Sequence, residues 1–415
     1  MLATNQIPRD DGFDNSLALL KEGYLYIHNR AETFQSDLFK TRIMGKNAIC
    51  MRGKEAAKLF YDEDKFQRKL AVPNRIQETL IGKRAIQTLD GQKHRLRKYL
   101  FMSLMTPQQQ KQLAEKTAEQ WKQAKKQWKM KKQIVLFEEA KKVLCKVACE
   151  WAGVPLSERE VSVRADDFIS IVYAFGRVGP VHWKGRIARN RIENWLEAVI
   201  DDTRSGTLHV DEATALYKMA FFQDEKGQHF STHMAAVELM NVIRPIVAIA
   251  TYITFAAVAL HEHAGQMEKL KAGTHDDFVR FIHEVRRYYP FGPFVGARVK
   301  KTFYWKNVEF KKGTLVFLDI YGTNHDPRIW ENPNEFNPDR FQNWDGNLFN
   351  FIPHGGGDPA KGHRCPGEGI TVEVMRATLD FLVNHIDYHV PSQDLSYKMN
   401  QIPTLPKSGF VMSFV

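Results

Sequence analysis

Cysteine is scarce in this chain, with four among 415 residues: Cys50, Cys145, Cys149 and Cys365. They are scattered, and Cys145 and Cys149 stand four apart in a helical pattern, where two buried thiols are expected rather than a disulfide or a metal pair. The N-terminus has neither the charged start nor the apolar core of a signal peptide. Together these absences favour a reducing, cytoplasmic compartment. Also missing are a Ser/Gly/Pro-rich linker, a low-complexity tract and an internal repeat, so residues 1–415 read as a single core-rich domain. Long apolar runs are confined to 239–260, and that run carries Asn241, Arg244 and Pro245 near its start. A lone run with an internal arginine predicts a helix buried through a large core, not a transmembrane span.

What the chain has in excess is positive charge, +11 overall. Much of it falls between Lys111 and Lys132, where lysines interleave with Gln, Glu and Trp at helical spacing. This pattern predicts a solvated helix face in preference to a nucleic-acid surface. A basic face can equally dock an acidic electron-transfer partner or draw in anionic substrates.

Periodicity predicts short strands at 38–43 and 48–51, a helix over 54–62, an irregular stretch opening at Phe66, and a basic helix holding His94, Arg97 and Lys98. Helical spacing dominates from there to about residue 290, over 106–130, 134–151, 157–172, 182–204, 211–220, 232–263 and 274–289. Strand-like alternation follows at 297–304, 308–310 and 314–319, then a helix over 369–386 and an extended end from 388 onward. The expected class is mainly α with small peripheral β-sheets.

Two features carry chemistry. The Gly-rich loop from Phe351 to Glu368 delivers Cys365 just before the last helix, with Pro366 where a first-turn proline is tolerated. Free N–H groups, the helix dipole and nearby Lys361, His363 and Arg364 should favour thiolate over thiol. The second feature is Arg244 beside Pro245. A proline cannot donate to the carbonyl of Asn241, so the helix should bend or open there. A buried arginine is rarely left unpaired. It either pairs with an acid such as Glu238 or Glu284, or it forms a socket for an anionic ligand, most simply a carboxylate. Glu284 and Arg287 stand three apart on one helix face, and Arg340 can complete a Glu-Arg-Arg network with them.

Glu284-x-x-Arg287, Asn337-Pro-Asp-Arg-Phe341 and the loop ending Gly362-His-Arg-Cys365-Pro-Gly367 make the chain resemble the cytochromes P-450, the haem-thiolate oxygenases. Element order agrees along nearly the whole chain. The resemblance implies the cytochrome P-450 fold and haem b, with the Cys365 thiolate as axial iron ligand, whose electron donation favours O–O cleavage. Haem propionates need cations, and Arg68, His94, Lys98 and His363 are the expected ones. A Lys stands at 98 where the family's His-x-x-x-Arg has an arginine, which leaves Arg97 as a rival for the role.

Two departures narrow the branch. The cysteine loop is lengthened by Gly355-Gly-Gly-Asp-Pro-Ala-Lys361. The distal helix reads Val242-Ile-Arg-Pro-Ile-Val-Ala248, with neither the acid nor the alcohol of the usual proton relay, and Thr251 lies too far along to replace them. A fatty-acid carboxylate clamped by Arg244 can supply that relay, taking a proton from hydrogen peroxide and returning it to the leaving oxygen. This pattern resembles the fatty-acid peroxygenase branch, which includes α- and β-hydroxylases and alkene-forming decarboxylases. Tyr288-Tyr-Pro-Phe-Gly-Pro-Phe294 and the segment from Leu17 to Tyr24 resemble that branch too.

By the same resemblance Arg244, Pro245 and Gln87 carry catalysis, and no redox partner is required. The substrate is a medium- or long-chain fatty acid. Its chain needs an apolar tunnel, for which Ile81, Phe291, Gly292, Pro293, Phe294 and Val295 are the expected lining. A carboxylate fixed near the iron exposes C2 and C3 rather than the methyl end. Gln87 occupies a position where decarboxylating members carry His, which implies mainly β- and α-hydroxylation with alkene as a side product. Rival readings are a reductase-fed monooxygenase, a haem-based sensor, and a zinc site from His354, His363 and Cys365, which lacks a well-spaced fourth ligand.

Overall fold

The computed structural model describes residues 7–128 and 131–414. The extreme N-terminus, read above for a signal peptide, the last two residues of the expected 106–130 helix, and Val415 lie outside that range.

Helices α1 (Ser16–Glu22) and α2 (Leu25–Thr33), for which the periodicity gave no signal, precede strands β1 (Leu38–Ile43) and β2 (Lys46–Met51). Helix α3 (Lys54–Phe60) follows, then β3 (Phe66–Gln67), a helical turn α4 (Asn74–Ile76) running into a π-turn at Gln77–Ile81, a 3-10 turn at Ile86–Thr88, and α5 (Gly91–Met102). The helical body comprises α6 (Pro107–Trp128), α7 (Leu136–Ala152) behind a short β4 (Gln133–Val135), α8 (Val161–Tyr173), α9 (Pro180–Arg204), α10 (Ala215–Phe221), α11 (Thr232–Glu262), α12 (Gln266–Lys271) and α13 (His275–Tyr288). Strands β5 (Phe294–Val299), β6 (Phe303–Trp305), β7 (Val308–Phe310) and β8 (Leu315–Asp319) come next, then α14 (Ile320–Asn324), a 3-10 turn at Pro338–Phe341, α15 (Glu368–Asn384) and β9 (Val411–Ser413).

The main sheet has the order β1-β2-β8-β5-β3, parallel only between β2 and β8. Residues 66–67, expected to be irregular, close its edge by pairing with Arg298 and Val299. The alternating run 297–304 is two strands, because the lysines at 300 and 301 sit at a break between β5 and the β6–β7 hairpin. The C-terminal stretch is mostly irregular: β9 pairs with β4, and an isolated antiparallel bridge joins His389 to Ser413. Its prolines at 391, 403 and 406 cannot donate to a ladder.

Helix α11 organises the core. It is apolar all round, which suits a helix surrounded by protein, and nearly every residue from Ala235 to Leu260 is buried. Its start is fixed by the Ser231 hydroxyl, which accepts from the Met234 N–H at 3.1 Å. Helices α7, α8, α9, α10, α13 and α15 pack around it. The helix continues without a break through Pro245, so the expected opening is confined to one missing N–H donor on the side where Pro245 is exposed. On α13 a capping box between Thr274 and Asp277 fixes the start, and the apolar face places Glu284, Arg286 and Arg287 in the interior.

Candidate active site

The cysteine loop is held from three sides. The Cys365 N–H donates to the His354 carbonyl at 3.0 Å. The Ile352 N–H donates to Asn324 Oδ1 at 2.9 Å, and the Asn324 carbonyl accepts from Arg287 Nη1 at 3.0 Å. Arg287 in turn makes a two-point pair with Glu284, 2.7 and 2.8 Å. Arg340 Nε reaches the same carboxylate at 3.1 Å, completing the Glu-Arg-Arg network that the spacing predicted. Gly355 has φ +91°, and a Cβ there would lie 2.6 Å from Tyr61 Oη. The lengthened loop therefore needs glycine so that the Tyr61 ring can pack beneath it.

The electrostatics at the sulfur differ from the sequence expectation. Lys361 is exposed, Arg364 is spent on Glu368 at 2.6 Å, and His363 faces Asp90 at 3.6 Å. Burial pushes the Cys365 thiol up, while the Gly367 N–H, Lys98 and Arg286 pull it down. Lys98 and Arg286 are thus the cations that matter here. Arg286, buried, is paired with Glu368 and lies 2.8 Å from His354 Nδ1. Among the described residues, His354 and Cys365 belong to no cluster of metal-ligating atoms.

Beside the sulfur lies a group of basic side chains. Lys98 is 2% exposed, and its ammonium donates to the Arg364 carbonyl at 2.5 Å. Burial lowers its pKa to about 8. The Arg68 guanidinium, also buried, lies over the rings of Phe60 and Tyr61, and no ion pair engages it among the described residues. His94 and His363 stack with ring centres 3.9 Å apart. Burial depresses both: His94 falls to about 3, with His363 and then Lys98 pushing the same way, and His363 falls to about 4, with Arg68 and Lys98 lowering it against the pull of Asp90. Arg97 and Lys98 point in different directions. Arg97 turns away to Glu238 at 2.8 Å, while Lys98 faces the cysteine loop.

His94, Lys98, His363 and Cys365 border one cavity of about 430 Å³, lined also by Leu80, Gln87, Asn241, Arg244, Pro245, Ala248, Phe291, Gly292, Pro293, Phe294 and Val295. No aspartate or glutamate among the described residues lines it. Ile81, expected in the tunnel, does not: the π-turn sends Leu80 inward and leaves Ile81 buried behind it, its carbonyl accepting from Asn241. Val172, Phe175, Tyr252 and Pro403 are lining residues that sequence patterns missed. Val172 lies on α8, Phe175 just past its end, Tyr252 on α11 and Pro403 in the irregular tail, and no spacing signal marked them.

Arg244 is 5% exposed, and among the described residues no carboxylate pairs with it. Its guanidinium donates to the Leu80 carbonyl. Neither acid that was expected to neutralise it does so: Glu238 pairs with Arg97, and Glu284 with Arg287 and Arg340. Burial, and then the neighbouring Arg189, lower its pKa to about 9. Thr251 is occupied by Tyr173 Oη at 3.2 Å and is not on the cavity wall.

The site fits haem. It offers a cysteine sulfur on an apolar wall, and beside it buried cations at Lys98 and Arg68 that demand anions such as propionates. A cytochrome P450 family model matches residues 279–412. Over 98% of this chain and 98% of the other, the structure superposes on cytochrome P450EX alpha with myristic acid, at 42% identity and a TM-score of 0.95. OleT carrying a substitution and arachidonic acid matches at 39% identity and 0.95, again over 98% of both chains. Among curated proteins, ent-isokaurene C2/C3-hydroxylase of Oryza sativa subsp. japonica is 32% identical over 130 residues, a match spanning 24% of its length.

The chain belongs to the cytochrome P450 family and is a haem-thiolate oxidoreductase. Its full-length neighbours place it in the CYP152 branch.

Proposed function

We propose that this chain is a hydrogen-peroxide-dependent fatty-acid peroxygenase. It hydroxylates medium- and long-chain fatty acids at the β and α carbons and forms some terminal alkene by decarboxylation. The observation that carries this reading is the buried, uncompensated Arg244 guanidinium on the wall of a cavity without an acid. Such a cation calls for an anion brought by the ligand. The solved relatives with myristic and arachidonic acid support the choice of a fatty acid.

Haem held by Cys365 supplies the cleavage of the peroxide O–O bond and oxygen transfer to carbon. Arg244 grips the substrate carboxylate through its guanidinium fork. That carboxylate stands in for the missing relay, accepting a proton from one peroxide oxygen and returning it to the other. Pro245 leaves the Asn241 carbonyl without its helical N–H donor and places its ring on the cavity wall beside Arg244. Phe291, Gly292, Pro293, Phe294, Val295 and Leu80 exclude water and hold the acyl chain, which brings C2 and C3 to the reacting centre. Gln87, a neutral amide, contributes no titratable proton, which favours hydroxylation over decarboxylation. Arg68, His94, Lys98 and His363 are the propionate partners.

The enzyme takes electrons from no redox partner, acts as one domain in the cytoplasm, and binds no nucleic acid; its cysteines are free. Incubating the purified haem protein with fatty acid and peroxide, without reductase, tests the reading. It should yield 2- and 3-hydroxy acids, whereas turnover only with a reductase would replace it with a monooxygenase.

A further inference from the structure

Glu238 is wholly buried on α11, six residues before Arg244, and each of its oxygens is committed. Oε1 accepts from the Ile86 N–H at 2.9 Å and from Arg97 Nη1 at 2.8 Å. Oε2 accepts from Asn241 Nδ2 at 3.1 Å, and the same amide donates to the Ile81 carbonyl at 2.9 Å. Arg97 also donates to the Arg84 carbonyl at 2.6 Å. One carboxylate therefore ties three pieces together. They are the 3-10 turn that carries Gln87, the π-turn whose Leu80 carbonyl holds Arg244, and α5, which carries His94 and Lys98.

The backbone between these pieces has few other restraints. Successive carbonyls of the π-turn are each met by a side chain from a packed helix: Thr79 by Arg189 at 3.4 Å, Leu80 by Arg244, and Ile81 by Asn241. On the other side, the Ile86 N–H has Glu238 as its one acceptor among the described residues. Gln87 Oε1 is itself buried without a partner, so nothing at the side chain's own end fixes where it points. Its position is inherited from the turn below it. A buried carboxylate costs several kcal/mol to desolvate unless it is well matched. Here an arginine, a backbone N–H and an amide match it.

We propose that Glu238, paired with Arg97, is a positioning residue that sets the place of Gln87 relative to Arg244, and so sets which substrate carbon reacts. This rests on the fatty-acid reading given above. Glu238 touches neither substrate nor haem; it acts through the Ile86–Thr88 turn and through Asn241. A role confined to stability would lower the melting temperature or the haem content and leave regiochemistry alone, because product ratio is measured per turnover.

The test uses the full-length haem protein with Glu238→Gln, Arg97→Gln and the double variant. The 2-hydroxy to 3-hydroxy product ratio and the fatty-acid affinity, read from the ligand-induced change in the haem absorption band, are measured for each. The expected result is a ratio changed by about threefold or more in either single variant, the scale set by one lost hydrogen bond. The double variant should change no further, since the two residues act as one pair. Glu238→Asp, which keeps the charge, should return part of the parent ratio. If Glu238→Gln is recovered without haem, Arg97→Gln, whose side chain is partly exposed, carries the same test. Parent-like ratios in the variants, with or without reduced stability, overturn the positioning role while leaving the fatty-acid reading in place. No hydroxy acid from the parent overturns both.

Discussion

Glu238 and Arg244 lie on the same buried helix, six residues apart, yet they do not pair: Glu238 is spent on Arg97 at 2.8 Å, and Arg244 is left with the carbonyl of Leu80. The acid nearest in sequence is thus kept off the arginine by a better-placed rival. The cation stays available to an incoming carboxylate.

Replacing that cation should be severe. Arg244→Ala removes one partner of an ion pair that forms only with substrate, a loss of about 3–5 kcal/mol, or roughly two to three and a half decades in affinity. Peroxide-driven turnover should vanish while the haem absorption spectrum stays that of the parent, because Arg244 lies far from the Cys365 loop in sequence and makes no hydrogen bond to it. Turnover near the parent rate would mean that the carboxylate is held elsewhere.

Gln87→His places a group that can store a proton where a neutral amide stood. Gas chromatography of the products should show a larger alkene share. An unchanged ratio would remove this position from the control of product type.

Gly355→Ala should destabilise the cysteine loop, since its Cβ meets Tyr61 Oη at 2.6 Å and its φ of +91° is unfavourable for an L side chain. With Tyr61→Phe added, the nearest ring atom is 3.5 Å away, an ordinary contact. Haem retention after dialysis should fall in the single variant and recover in part in the double one. Equal losses in both would show that the backbone, not the ring, is what requires glycine.

Asp319 is buried at the end of β8, with one oxygen accepting from Gly322 at 2.8 Å and the other unpartnered. Burial raises its pKa from 3.8 to about 7. The folded protein therefore holds this proton more tightly than the unfolded chain. The resulting stability is fully present below about pH 3.8 and is lost progressively as the pH rises to about 7. Chemical denaturation across this range should show a smaller decline for Asp319→Asn than for the parent. Parallel declines would place the titration in other groups.

The parts of this site legible in the sequence were those whose chemistry is local. Cys365 before a helix, Glu284 three residues from Arg287, and Arg244 next to Pro245 stand out by spacing, and the family resemblance is what gave them roles. What was not legible depends on where a helical face points. Arg97 and Lys98 are adjacent, and only α5's packing sends one to Glu238 and the other to the cysteine loop. Leu80 and Ile81 exchange roles because a π-turn shifts the register at that point. The extra glycines of the loop read as an insertion; that Tyr61 fills the space is a tertiary fact, set by a residue nearly 300 positions away. The expected helices were found, while the strands near 300 and the irregular tail followed breaks that alternation alone does not mark.

The central claim is that the substrate's own carboxylate completes the machinery. The most direct measurement compares peroxide-driven turnover of one fatty acid with that of its methyl ester in the same enzyme preparation. The ester has the same chain but cannot pair with Arg244 or carry the proton, so the acid should be hydroxylated at C2 and C3 and the ester should be inert. Comparable hydroxylation of the ester at those carbons would contradict the account.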